Sequence, residues 1–189
     1  MLTESSLRHF TDHVASQGHA MAGATTAAAA AAACSLGEAC LRINVPLVAA
    51  GADRALAERL AGQLAEIRGR LLALTDEDGA AITAFAALRM AGKTLEGQAR
   101  LCQMPVEMAR LAIAAACRLQ EFRPLIQMAQ DDLEMAITLL AGTLRAATLL
   151  LDSNLRLWPD ASLLAQFEPE LAALRAEAGR VQPVARIRP

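Results

Sequence analysis

Apolar residues recur at steps of three and four along most of the chain, the spacing of helices that bury one face, and no stretch alternates at a step of two as a half-buried strand does. From Leu2 to Gln17, the residues Leu2, Leu7, Phe10 and Val14 share a face and predict a first amphipathic helix. Gly18 to Ala24 breaks the pattern, and Thr25 or Thr26 offers a hydroxyl to cap a second helix, which runs to about Ile43 and ends before Pro46. A stripe of Leu56, Leu60, Leu64, Ile67, Leu71 and Leu74 then predicts a long helix from about Asp53 to Met90. Gly92 and Thr94 mark a turn, and Pro105, a residue suited to a first helical turn, opens a segment carrying Met108, Leu111, Ala112, Ala115 and Leu119. Pro124 interrupts it. Asp131 and Asp132 begin a helix that is apolar nearly all round from Leu133 to Leu151, as a helix enclosed by others is. Pro159 and Asp160 start a last amphipathic helix to about Glu177, followed by the loose tail VQPVARIRP. The expected fold is all-α: a mostly antiparallel bundle with a buried central helix over residues 1–178, and a tail over 179–189.

Composition strengthens that picture. Hydrophobic residues make up 54% of the 189 positions but aromatics only 3%, and Tyr is absent, so the core must be built from Ala, Leu, Ile and Met at close range. The uncharged stretch Ala20 to Gly37 is long enough to suggest a membrane span. Alanine is too weakly apolar to drive insertion, and Glu38 closes the stretch, so a helix whose small residues admit a close neighbour is expected instead. The start MLTESSLRHF has an acid and no basic region ahead of an apolar stretch, unlike a secretory signal; a soluble, cytoplasmic protein with no membrane partner is expected. A net charge of −2 without a Lys or Arg cluster argues against nucleic acid and anionic membrane. Cys34, Cys40, Cys102 and Cys117 have no CxxC spacing and read as reduced core residues. His9 and His13 stand four apart without a third ligand, so no metal site is expected.

Three residues invite chemistry. Asp78 falls on the apolar stripe of the long helix, before Ile82 and Phe85. Burial of a carboxylate in apolar surroundings raises its pKa and prepares it for proton transfer near neutral pH. Its plainer reading is an acid bonded to an Arg or a helix end. Asp76 and Glu77 fall off the stripe and read as solvated charges, or as first-turn acids if Thr75 restarts the helix. Asp132 shares a helical face with Leu150 and Asn154, or is simply a first-turn acid. Lys93, the only lysine, follows the Asp78 helix and is placed to meet an anionic ligand group, or is solvated.

Together these stretches resemble the formiminotransferase-cyclodeaminase family, specifically its cyclodeaminase and methenyltetrahydrofolate cyclohydrolase helical domain, from about Leu7 to Leu157. The family's Pro-Gly-Gly-Gly-Ser loop before an alanine-rich helix corresponds to Met21-Ala22-Gly23-Ala24-Thr25. Its acidic pair ending in Asp looks like Asp76-Glu77-Asp78, its Pro-Lys turn like Gly92-Lys93, and its Ser-Asp helix start like Asp131-Asp132. LAGTLRAATLLLDSN, with Arg145, Ala147 and Asn154, resembles the end of that helix. The chain departs from the pattern at Ala22 and Ala24, which replace two loop glycines and restrict backbone approach, at the shortened Gln127 to Gln130, and at Leu150, where the family has Asn.

The resemblance implies a homodimer that takes a tetrahydrofolate-type reduced pterin as substrate, without a tightly bound cofactor. It implies a cyclohydrolase, opening a methenyl-folate with water, or a cyclodeaminase, expelling ammonia from a formimino-folate. Asp78 would be the general acid/base, Asp132 and Asn154 would orient the substrate, Lys93 would meet its acidic tail, and Gly23 and Thr25 would belong to the cleft wall. The rival expectation is a catalytically silent helical dimer, serving as a binding or assembly subunit of a one-carbon-transfer complex.

Overall fold

The structure, a computed structural model, describes residues 1–17 and 21–187; Gly18, His19 and Ala20 of the expected break, and Arg188 and Pro189 of the tail, lie outside the described residues. Six α-helices and no strands are found among the described residues. The first is shorter than expected. Leu2–Glu4 forms a separate 3-10 turn, the Ser5 hydroxyl donates to Leu2 O, and Ser6 caps α1 (Leu7–Ser16) by accepting from His9 N. No residue of α1 is buried, and Leu7 is 77% exposed.

Helix α2 (Ala22–Asn44) begins three residues before the expected threonine cap, so Thr25 and Thr26 sit inside it. Met21 at the cap offers no side-chain acceptor, and an N–H of the first turn is satisfied from another helix: Ala24 N donates to Asp78 Oδ2. Helix α3 (Ala52–Met90) is continuous through Thr75, whose buried hydroxyl bonds back to Leu71 O, so no restart occurs there. It ends at Gly92, φ 75°, where Gly92 N donates to Arg89 O and Lys93 N to Leu88 O, closing the last turn.

Helix α4 (Thr94–Phe122) starts eleven residues before Pro105, which lies in its interior. Helix α5 (Gln130–Leu157) follows Ala129, a left-handed residue at φ 61°. The tight connection before it is held by buried Asn44, whose Nδ2 donates to Cys40 O and Met128 O while Oδ1 accepts from Gln127 N and Met128 N. Helix α6 (Ala161–Glu177) starts where expected, with Asp160 accepting from Ser162 N and Leu163 N.

Helices α2, α3, α4 and α5 form a ring in which each packs on two neighbours, and α6 lies against α4 and α5. Helix α2 also reaches α4 across the ring. Its alanines allow this, and at Gly37 an added Cβ would come within 2.8 Å of the Leu119 side chain. By length and composition α2 and α5 are each apolar enough to cross a membrane; half of each apolar window is buried in the bundle. Helix α5 is not enclosed all round, since Met135, Leu139 and Leu149 are about half exposed. The bundle extends past residue 178: Val181 is buried, Gln182 N donates to Gln120 Oε1, and Arg123 donates to Gln182 O.

Candidate active site

The start of α2, the middle of α3, Leu101 of α4 and the C-terminal end of α5 enclose a cleft of about 300 Å³. It is lined by Ala22, Gly23, Asp78, Ile82, Phe85, Leu101, Leu150, Asn154, Leu157 and Trp158. Asp78 is 4% exposed, and the 2.8 Å bond from Ala24 N holds Oδ2 against the N-terminus of α2, where backbone N–H groups and the helix dipole favour an anion. The helix-end reading and the cleft reading of this acid therefore hold together: one carboxylate caps α2 and faces the cavity.

Gly23 makes that seat possible. A Cβ there would fall 2.1 Å from Asp78 Oδ1 and 2.5 Å from Cγ. The two alanines that replace family glycines do not obstruct it, since Ala22 is exposed and Ala24 points its methyl into the core. Met21 is buried near Gly79, outside the cleft.

Asn154 is positioned by the same proline that was expected to open a helix. Pro105 has no N–H, so the carbonyl four residues earlier, Leu101 O, lacks its helical donor. Asn154 Nδ2 supplies one at 2.9 Å, pinning α5 to α4 and leaving Oδ1 as the atom able to accept from a ligand. The same cleft is lined by Phe85 and Trp158, the only tryptophan, with ring centroids 5.5 Å apart and planes tilted by 44°. Gly97 of α4 makes room for this pair, because a Cβ there would meet the Phe85 ring at 2.6 Å. Neither aromatic was singled out as a site residue. Trp158 carried the better signal, a lone indole between the end of one helix and Pro159.

Gly23, Asp78 and Asn154 are thus brought together, and Thr25, Lys93 and Asp132 are not. Thr25 is exposed and absent from the lining. Lys93 is exposed and lies 3.7 Å from Glu96. Asp132 is exposed at the opposite end of α5 from Asn154, roughly 33 Å away along the axis. Asp76 and Glu77 are not free solvated charges: Asp76 accepts from Leu2 N, Thr3 N and the Thr3 hydroxyl, and Glu77 meets Arg70 and Arg100. Arg70 also holds Glu107 of α4, and these carboxylates push its guanidinium further above its ordinary value, Glu107 most strongly. The bridge braces α3 against α4 beside Asp78.

A larger hollow of about 620 Å³ lies beneath α1, with His9, His13 and Asp76 in its wall. Asp76 is already committed to the N-terminal turn, so the smaller cleft is the better candidate for chemistry. Among the described residues no group of three His, Cys, Asp or Glu side chains is placed to hold a metal. Burial pushes the Cys34 thiol up to about 12 and those of Cys40 and Cys102 to about 11, which leaves them protonated at neutral pH.

A helical bundle with a carboxylate seated at a helix N-terminus, inside a cleft walled by two aromatics, has the features of a small-molecule enzyme site. The family model for formiminotransferase-cyclodeaminase matches residues 6–173, and the chain belongs to that family. The fold is shared with a solved structure, formiminotetrahydrofolate cyclodeaminase from Thermotoga maritima: TM-score 0.83, 18% identity, 97% of this chain and 95% of that chain covered. No curated protein matches. Family membership ties the chain to folate-linked one-carbon metabolism.

Proposed function

We propose that the protein binds a tetrahydrofolate-type reduced pterin in the Asp78 cleft and acts as a formimino-tetrahydrofolate cyclodeaminase or a methenyl-tetrahydropterin cyclohydrolase. The observation that carries this reading is the seating of Asp78 at the start of α2, against Gly23 and within the aromatic-walled cavity. In cyclodeamination N10 attacks the carbon of the protonated formimino group, the ring closes, and ammonia departs; N10 gives up one proton and the departing =NH2+ nitrogen gains one. In hydrolysis water adds to the methenyl carbon and loses both its protons, one to solvent and one to the ring nitrogen whose C–N bond opens. A fixed carboxylate serves either transfer, at a gain of about 10² to 10⁴ in rate. Phe85 and Trp158 suit a flat heterocycle, and Asn154 Oδ1 suits one of its N–H groups. Neither reaction changes oxidation state, so this reading calls for no tightly bound cofactor.

The same reading includes a homodimer in the cytoplasm, with neither nucleic acid nor membrane as partner. The exposed apolar face of α5 suits a second copy. Gly142 and Ala146 allow close approach beside Met135, Leu139 and Leu149, and antiparallel pairing sets exposed Asp131 and Asp132 of one copy against exposed Arg156 of the other. Sedimentation should show a dimer that Leu149→Glu converts to monomer, and a monomeric parent protein would remove this part of the reading. For the activity, methenyl-tetrahydrofolate is followed by its ultraviolet band and formimino-tetrahydrofolate by ammonia release. Turnover of either supports the proposal; binding of neither argues for the silent subunit.

A further inference from the structure

The cleft does not end at the aromatic pair. A second hollow, about 450 Å³, is lined by Ile82, Phe85, Arg89 and Met90, so Ile82 and Phe85 form a wall common to both. Asp78, Ile82, Phe85 and Arg89 stand at i, i+4, i+7 and i+11 on α3, one stripe of the helix rising roughly 16 Å from the carboxylate to the guanidinium. The stripe passes from an anion through two apolar side chains to a cation. Arg89 is exposed and takes part in no ion pair among the described residues, whereas Lys93, one turn further along the chain, already lies against Glu96.

Building on the pterin reading, we infer that Arg89 is a specificity-determining residue, binding the carboxylate-bearing tail of a ligand whose ring system sits beside Asp78. The ligand class is a pterin joined through an aryl spacer to an amino-acid carboxylate. The ring occupies the deep cleft, the spacer runs over Ile82 and Phe85, and the carboxylate meets the guanidinium, whose planar fork matches it with two parallel hydrogen bonds. Arg89 touches no reacting atom in this arrangement, so it governs affinity and not the chemical step.

Trp158 is the only tryptophan and lines the cleft, so its fluorescence reports occupancy directly. The full chain is titrated with tetrahydrofolate and with tetrahydropteroate, which keeps ring and spacer but lacks the glutamate. The parent protein should bind tetrahydrofolate about tenfold more tightly or better, the worth of one charge-assisted contact. Arg89→Gln should erase that preference by weakening tetrahydrofolate binding to the level of tetrahydropteroate, Arg89→Glu should reverse it, and Arg89→Lys should restore it in part. Equal affinity of the parent for both ligands, or an unchanged preference in Arg89→Gln, overturns the Arg89 assignment alone. Failure of the parent to bind either ligand overturns it together with the pterin reading.

Discussion

Replacing Gly23 by Ala tests the seat of Asp78 without touching the carboxylate. The added methyl would sit 2.1 Å from Oδ1, 2.5 Å from Cγ and 2.8 Å from Oδ2, so the acid must withdraw by about 1 Å to restore ordinary contact. Withdrawal breaks the bond from Ala24 N, a charge-assisted bond worth about 1.5 to 3 kcal/mol. The better helix propensity of Ala offsets up to about 1 kcal/mol of this. With that full offset the net loss is about 0.5 to 2 kcal/mol, a fall in Tm of about 1 to 8 °C for a chain of this size. Activity should suffer far more, because a 1 Å misplacement of a reacting group costs about 100-fold. The assay is loss of the methenyl band at saturating and sub-saturating substrate, with a thermal melt of each variant. Ala24→Gly serves as control: it keeps the N–H that Asp78 accepts and should leave turnover unchanged while lowering Tm. Parental turnover in Gly23→Ala, with the melt shifted as expected, would refute the claim that the seating of Asp78 is what the cleft provides.

Two further predictions concern the fold itself. Asn44→Leu removes all four hydrogen bonds of the buried amide and strands the N–H groups of Gln127 and Met128, so chemical denaturation should show a loss of about 3 kcal/mol or more; a change under about 1 kcal/mol would contradict the role of Asn44 in holding the start of α5. Cys34, Cys40 and Cys102 have folded values above their unfolded value of 9.0, so the stability they favour is complete below pH 9 and is lost as the pH rises to between about 11 and 12; the three thiols should also resist alkylation at pH 8 until the protein unfolds, and their rapid modification in the native state would contradict their burial.

The helices were legible because apolar spacing of three and four persists along them, but several of their boundaries were not. Pro105 looked like a helix start because an interior proline orphans a carbonyl, and the sequence does not display the distant Asn154 that satisfies Leu101 O. Thr25 looked like a cap because hydroxyls cap helices, yet the acceptor for the first turn of α2 comes from Asp78, 54 residues away from Ala24. Within the site, Asp78 stood out as a charge on an apolar stripe, and the resemblance pointed to Gly23 and Asn154. Asp132 shows the limit of reading by helical face: it shares an angular position with Asn154 but lies at the other end of the same rod. Phe85 was hidden because an aromatic on a core stripe looks like any core residue. Arg89 was hidden because basic residues are ordinary in the last turn of a helix.

Asp78→Asn puts the greatest strain on the account, since Asn keeps the shape and can still accept from Ala24 N through its amide oxygen. Single-turnover decay of methenyl-tetrahydrofolate, or ammonia release from formimino-tetrahydrofolate, is compared between parent and variant while Trp158 fluorescence monitors binding. The expected result is retained binding with the chemical step slowed about 100-fold or more. Binding and chemistry both at the parental level in Asp78→Asn would contradict the central claim.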